Sequence, residues 1–319
     1  MKKIIIITGD PNSINSELIV KAWSKLNTTI RKKICFIGSY DLIQKQLKKL
    51  KYKNKLVRLN NINAKINCRK INIFNVDLKF KNPFNVSKIN STKFVRNSLN
   101  LAHKLSQNKI IGGFINCPIS KNLLPSKKGV TEYLAFKCNI KNNSEVMLIK
   151  NKNLSVTPIT THIKISKISN KIKPDLIKRK IFTMNNWFKK YYKKKPKIAI
   201  LGLNPHNAEL SKDSEEYKII YPTIIYLKKK RINVKGPFVA DTIFINDYKK
   251  FDIIVGMYHD QVLAPFKTLF KFKAINITLG LHYLRASPDH GVAQNIIGKF
   301  KADPTSLLEC IYFFNSLKK

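Results

Sequence analysis

The chain has 319 residues, 44% of them hydrophobic, enough apolar material for a large core and more in keeping with two domains than with one. Lysine and arginine number 61 against 18 aspartate and glutamate, a formal net charge of +43. The lysines run through the whole sequence and accompany an excess of isoleucine and asparagine, residues with A- and T-rich codons, so genome base composition explains the charge and no clustered basic stripe marks a specific nucleic-acid binder.

The first strand is expected at Lys3–Thr8. Its Ile4–Ile7 run is too short for the core of a signal peptide, and no stretch approaches the roughly 20 apolar residues of a membrane span. Cys35, Cys68, Cys117, Cys138 and Cys310 form no CxxC pair, which fits reduced thiols, so a soluble cytoplasmic protein is expected. After the strand comes Thr8-Gly9-Asp10-Pro11-Asn12-Ser13-Ile14-Asn15-Ser16-Glu17. That loop reads either as an anion site at a helix N-terminus or as a turn with a serine cap.

A helix is expected from Ser16 to Leu26, a strand at Ile34–Ile37, and a helix from Asp41 to Leu50. Lys51–Asn90 shows only short strand-like pieces, and Ser91–Ser106 has an apolar helical face. Ile110–Asn116 is a strand that ends in Cys117-Pro118, and a helix begins near Thr131-Glu132. Strands follow at Glu145–Leu148 and Leu154–Thr157, and Pro174 opens a long amphipathic helix to Tyr192. Lys197–Leu201, Phe251–Val255 and Ala274–Thr278 read as strands; Glu215–Lys229, Gly291–Phe300 and Thr305–Leu317 read as helices. Strands alternating with helices give an α/β class with a mainly parallel sheet.

Three histidines each follow a buried-strand pattern: His162 in Thr160-Thr161-His162, His206 in Leu203-Asn204-Pro205-His206, and His259 in Met257-Tyr258-His259-Asp260-Gln261. Strand ends are where α/β proteins keep their sites, and three neutral imidazoles suit a divalent metal with an open position for substrate. Singly, each also reads as a hydrogen-bonded strand cap. A GxGxxG fingerprint is absent after the first strand, which excludes the Rossmann reading.

Eight segments appear in one order: Thr8-Gly9-Asp10-Pro11, Thr131-Glu132-Tyr133, Thr160-Thr161-His162, Gly202-Leu203-Asn204-Pro205-His206, Gly236-Pro237-Phe238-Val239-Ala240-Asp241-Thr242, Met257-Tyr258-His259-Asp260-Gln261, Asn276-Ile277-Thr278-Leu279-Gly280-Leu281 and Arg285-Ala286-Ser287-Pro288-Asp289-His290-Gly291. Together they resemble the 4-hydroxythreonine-4-phosphate dehydrogenase family of vitamin B6 synthesis. The resemblance implies a two-domain α/β/α sandwich similar to isocitrate and isopropylmalate dehydrogenases. It implies a first domain of residues 1–130 plus 285–319, and a second of 131–284 with the metal histidines and the dimer contacts.

The implied activity is the NAD- or NADP-linked oxidation of 4-phosphooxy-threonine to a β-keto acid that loses CO₂, giving 3-amino-2-oxopropyl phosphate. The implied assembly is a homodimer with its site in an interdomain cleft at the subunit interface. His162, His206 and His259 match the family's ligands for one divalent ion (zinc, magnesium or cobalt). Thr131, Lys267, Asn276 and Arg285 match its substrate-binding residues. The Arg fork suits bidentate contact with phosphate or carboxylate, and Asn276 can donate and accept. Asp241 and Lys267 are the candidates for proton transfer, with Asp260 a candidate proton acceptor or imidazole-orienting partner.

The sequence also departs from the family pattern. Val130 stands where the family has a histidine before Thr-Glu, and Cys117-Pro118-Ile119-Ser120-Lys121 keeps only the lysine of the usual His-Lys. Asn12, Ser13, Asn15 and Ser16 replace a glycine-rich continuation. The rival readings are a paralogue acting on threonate or erythronate 4-phosphate, a degenerate non-catalytic descendant, and a basic nucleic-acid-binding protein.

Overall fold

The computed structural model describes residues 2–124, 129–271 and 273–317. Among the described residues there are twelve strands: β1 (Lys3–Ile7), β2 (Ile34–Gly38), β3 (Leu56–Arg58), β4 (Ile71–Asn75), β5 (Ile111–Asn116), β6 (Val146–Lys150), β7 (Ser155–Pro158), β8 (Ile198–Leu201), β9 (Val234–Phe238), β10 (Ile253–Gly256), β11 (Ile275–Leu279) and β12 (Leu284–Pro288). The chain divides into two compact units, Met1–Asn139 with Leu281–Ser316, and Ile140–Gly280 with the last residues of the chain.

In the first unit the strands run in the order β3-β4-β2-β1-β5-β12, and each pair is parallel. Consecutive residues Ile4, Ile5, Ile6 and Ile7 are all buried, as are Ile34 to Ile37. Since alternate side chains point to opposite faces, both faces of these strands are covered, which is why the sequence shows unbroken β-branched runs there. The helix Lys88–Ser106 packs on β1, β2 and β5, and the helix Thr305–Ser316 packs on β5 and β12. Ser39 and Ser87 cap their helices by accepting from Leu42 N and Asn90 N.

In the second unit the order is β11-β6-β7-β10-β8-β9. β11, β6 and β7 are joined by antiparallel pairing; β7, β10, β8 and β9 are parallel. Ile149, Val156, Ala199, Leu201 and Ile254 meet Val262, Leu263 and Phe266 of the helix His259–Phe270 in one core. Phe266 is fully buried, a contribution of about 1.5–3 kcal/mol from its side chain. The helix from Pro174 ends at Tyr192, as the sequence predicts, with Lys193 in the left-handed conformation at its end.

Several expectations are corrected. Gly291–Phe300 is not a helix: it holds a single tight turn, Gln294–Ile296, between residues with positive φ, Ala293, Gly298 and Phe300. Its polar groups turn to the first loop instead, where Ile14 N donates to Val292 O and Gln294 Nε2 to Asn12 O. The helix His259–Phe270, not expected from the pattern, carries Pro265 in its interior. Strand β9 was also hidden by a proline; Pro237 is tolerated because β9 stands at the end of its unit's strand order. No helix among the described residues is long and apolar enough to cross a membrane.

Candidate functional site

Parallel pairing sets the carboxyl ends of β7, β10 and β8 side by side, with Ile254 opposite both Val156 and Ala199. The three histidine loops leave from those ends. Pairing between the first two continues beyond the strands: Ile159 N donates to Gly256 O at 2.8 Å, and Thr160 N and Oγ1 both donate to Met257 O, at 3.1 and 2.7 Å. This zipper brings the rings of His162 and His259 together, centroids 5.8 Å apart and planes tilted by 37°. His162 adopts a left-handed backbone, φ 51°, which turns it out of the strand line. His259 begins its helix, and its Nδ1 lies 2.6 Å from Oδ1 of Asp260. An ionised carboxylate can only accept, so Nδ1 carries the hydrogen, and Nε2 is the ring nitrogen left to face a ligand.

Gln261 ties the third loop to this pair. Its Oε1 accepts from Met257 N at 2.7 Å and its Nε2 donates to Gly202 O at 2.8 Å. Glu216, fully buried, accepts on Oε1 from Leu203 N (2.6 Å) and Asn204 N (2.8 Å), and on Oε2 from Asn204 Nδ2 at 2.9 Å. A buried carboxylate needs such donors to be tolerated at all. Beyond Pro205, His206 to Leu210 all have φ between 46° and 58°, a left-handed turn of non-glycine residues. Each such residue costs roughly 1–2 kcal/mol, so the surrounding bonds must hold the turn in place. Asn207 Nδ2 donates to Pro237 O at 3.1 Å, and a Cβ at Gly202 would press on the side-chain ends of Asn207 and Glu216, so a larger residue there would displace these braces.

The structure therefore brings His162 and His259 together and places His206 on the neighbouring loop, exposed. Among the described residues no group of three or more His, Cys, Asp or Glu is placed to hold a metal ion. Asn276 lies on β11, and its Oδ1 is buried without a hydrogen-bond partner, an acceptor left open. Lys267 is exposed in the last turn of the helix His259–Phe270, and Asp241 is exposed in the first turn of the short helix Ala240–Ile243.

The two remaining predicted residues belong to the first unit and touch each other. Arg285 on β12 is 3% exposed; its Nη1 donates to Thr131 Oγ1 at 3.4 Å and its Nε to Asn116 Oδ1 at 2.8 Å. Burial pulls the guanidinium down to about 10, while nearby Cys310, Glu132 and Tyr283 act in the opposite direction; it stays charged at neutral pH. Thr131 sits in the first turn of the helix Val130–Lys137. The far end of that helix is fixed by a chain of bonds. Cys138 Sγ donates to Tyr283 Oη at 3.5 Å, and Tyr283 Oη lies 2.9 Å from His103 Nδ1.

The first loop is sewn into its unit. Asp10 accepts from Asn12 N and Ser120 N, Asn15 Nδ2 donates to Pro118 O at 2.9 Å, and Asn12 exchanges two bonds with Val86. Burial raises the Asp10 carboxyl, and the two backbone amides oppose that shift. His290 Nδ1 faces Gly291 O at 3.0 Å and its Nε2 is buried without a partner.

Sequence reasoning gave no role to Glu216, Gln261 or Asn116. One signal was present for Glu216: Glu215-Glu216 is the only adjacent acidic pair in a chain with 18 acidic residues.

A 4-hydroxythreonine-4-phosphate dehydrogenase of Sulfurihydrogenibium is 36% identical over 329 aligned positions, covering 100% of this chain and 99% of the relative. A relative from Oceanobacillus iheyensis, 32% identical and covering 98% of this chain and 96% of its own, bears the provisional name D-threonate 4-phosphate dehydrogenase. The crystal structure of 4-hydroxythreonine-4-phosphate dehydrogenase from Klebsiella pneumoniae superposes with a TM-score of 0.87 at 25% identity, covering 99% of both chains. A β-decarboxylating dehydrogenase of Thermococcus kodakarensis, TM-score 0.52 and 11% identical, covering 100% of this chain and 85% of that one, shares the fold. The profile of the pyridoxal phosphate biosynthetic protein PdxA matches residues 30–314, a span that includes all three histidine loops and the Arg285 strand. The chain belongs to the PdxA family of pyridoxal phosphate biosynthetic proteins.

Proposed function

We propose that the protein is a 4-hydroxythreonine-4-phosphate dehydrogenase, oxidising the secondary alcohol of 4-phosphooxy-threonine with a nicotinamide cofactor in vitamin B6 synthesis. The observation that carries the reading is full-length membership of this dehydrogenase family. A hydride leaves the carbinol carbon for the nicotinamide and the hydroxyl proton goes to a base, for which Asp241 is the candidate. The resulting β-keto acid loses CO₂ to give 3-amino-2-oxopropyl phosphate.

The chain's own residues supply binding and orientation. Arg285 and Lys267 pair with phosphate or carboxylate; Thr131 offers a hydroxyl to the same anion. Asn276 presents an open acceptor, which suits a hydroxyl or amino donor on the substrate. Lys267 is the candidate to return a proton.

Two adjacent imidazoles, one oriented by a carboxylate, have the donor chemistry that a zinc, magnesium or cobalt ion takes. Within the described residues of one chain the set stops at two. Completion by His206 or by a second copy of the chain is part of this reading, and with it a homodimer. A divalent ion held there would favour ionisation of the substrate hydroxyl. The proposed compartment is the cytoplasm.

The test is a substrate panel with purified protein, NAD or NADP, and several divalent metals, following reduced nicotinamide. Turnover of 4-phosphooxy-threonine that chelation abolishes is expected, with metal content falling in His162→Ala, His206→Ala and His259→Ala. Full metal content and activity in all three variants would end the metal assignment. A second reading, a dehydrogenase of threonate or erythronate 4-phosphate, is favoured by Val130, which cannot hydrogen-bond an amino-acid substrate.

A further inference from the structure

The guanidinium of Arg285 has its orientation set by a side chain that the reaction does not otherwise use. Asn116 is the last residue of β5, 2% exposed. Its Nδ2 donates to Cys117 O at 3.2 Å, so the amide group is fixed with Oδ1 turned to Arg285 Nε, 2.8 Å away. Nη1 of the same guanidinium meets Thr131. The backbone enforces this meeting. Leu284 stands opposite Gly113 and Arg285 opposite Phe114 in the parallel β5–β12 register. Gly113 has φ +133°, and a Cβ there would fall 2.1 Å from Leu284 O. Only glycine lets β12 come this close to β5, and the approach sets Arg285 at the carboxyl end of β5 beside Asn116.

We propose that Asn116 is a positioning residue for substrate binding: by accepting from Nε of Arg285 it fixes the plane of the guanidinium so that the terminal nitrogens meet Thr131 and the anionic group of the substrate. The inference rests on the reading of Arg285 as an anion-binding residue. An arginine fork recognises a carboxylate or phosphate through two parallel bonds, which requires a fixed plane rather than a point charge. Asn suits the task because it offers one acceptor to one N–H and adds no charge, so the positive charge of the fork stays available to the substrate.

The test uses the full-length protein and steady-state kinetics with 4-phosphooxy-threonine and NAD, with melting temperature measured alongside. Asn116→Leu removes the acceptor and is expected to raise the substrate KM about tenfold, leaving kcat within about twofold and the NAD KM unchanged. Asn116→Gln keeps a neutral amide acceptor and is expected to hold the substrate KM closer to the parent than Asn116→Leu does, whereas Asn116→Asp, whose charge competes with the substrate for the guanidinium, is expected to raise it. Arg285→Lys, which has no Nε, is expected to raise the KM by itself and to abolish any further effect of Asn116→Leu. If Asn116→Leu does not fold, Asn116→Ala, which adds no bulk, carries the same expectation. A lowered melting temperature with an unchanged KM overturns the proposal, as does an equal KM effect of Asn116→Leu in the Arg285→Lys background. An Arg285→Lys protein with the parental KM removes instead the underlying reading of Arg285, and the proposal with it.

Discussion

Val130 opens the helix Val130–Lys137 one residue before Thr131, whose hydroxyl meets Arg285. A valine there neither donates nor carries charge, so a substrate group facing it lacks a direct partner. Leaving such a group buried and unpaired costs on the order of 1–3 kcal/mol, or roughly ten- to a hundredfold in affinity. The expected outcome is that 4-phosphooxy-threonine remains the best substrate with an elevated KM, and that Val130→His lowers it. Loss of turnover in Val130→His, with a phosphorylated sugar acid used far better, would move the protein to the second reading. His103 makes a separate prediction. Desolvation lowers its pKa below the ordinary 6.5, with Lys137 and His282 adding repulsion. The folded state thus favours the neutral ring, and below about pH 6.5 the unfolded chain binds the extra proton first. This contribution to stability is complete above the unfolded pKa and is lost as pH falls through 6.5 toward the lower folded value. Urea midpoints at about pH 7.5 and about pH 5.5 should therefore differ more for the parent than for His103→Gln. Equal differences would show that the burial of His103 carries no such linkage.

Loops at the strand ends depend on groups far away in sequence. Glu216 holds Leu203 and Asn204, and Gln261 spans Met257 and Gly202. Glu216→Ala leaves the Leu203 and Asn204 backbone amides unpaired, while Asn204 Nδ2 keeps Glu215, with an expected loss of about 2–3 kcal/mol in urea unfolding. Gln261→Ala should cost about 1–2 kcal/mol and expose the Met257 amide to rapid hydrogen exchange. Parental exchange at Met257 would mean that the loop needs no such brace. The same long reach explains what sequence could and could not tell. Unbroken runs such as Ile253–Val255 and Ile198–Leu201 are legible because strands covered on both faces need β-branched residues throughout, and their ends locate His259 and His206. The adjacency of β7, β10 and β8, which decides that these loops share an edge, has no local signal. The helix His259–Phe270 was obscured by Pro265, and Gly291–Phe300 has a helical composition overruled by bonds to the first loop. Asn116 is one asparagine among many; its role exists only because β12 returns beside β5.

At the scale of the molecule the charge acts in two opposing ways. With 61 basic and 18 acidic residues, few of the cations can find a partner. The ion pairs that do form are largely at the surface, as in Arg58–Asp41, Lys194–Asp252 and Lys250–Asp247, and each such pair is worth about 1 kcal/mol or less. The folded state holds the remaining positive charges closer together than the unfolded chain does, so their repulsion destabilises it. Salt shortens the range of that repulsion, to about 10 Å at 0.1 M. The melting temperature should therefore rise as salt is raised from about 20 mM to about 200 mM. Substrate binding should move the other way. An anion carrying phosphate and carboxylate is drawn in by the same field and, in the proposed function, held by Arg285 and Lys267, so its KM should increase over the same range while kcat changes little. Arg285, being buried, is screened less than exposed Lys267, so Lys267→Met should remove most of the salt dependence of KM and Arg285→Lys little of it. A melting temperature that falls with salt would show that surface ion pairs, rather than net repulsion, dominate; a KM indifferent to salt would show that the field plays no part in capturing the substrate.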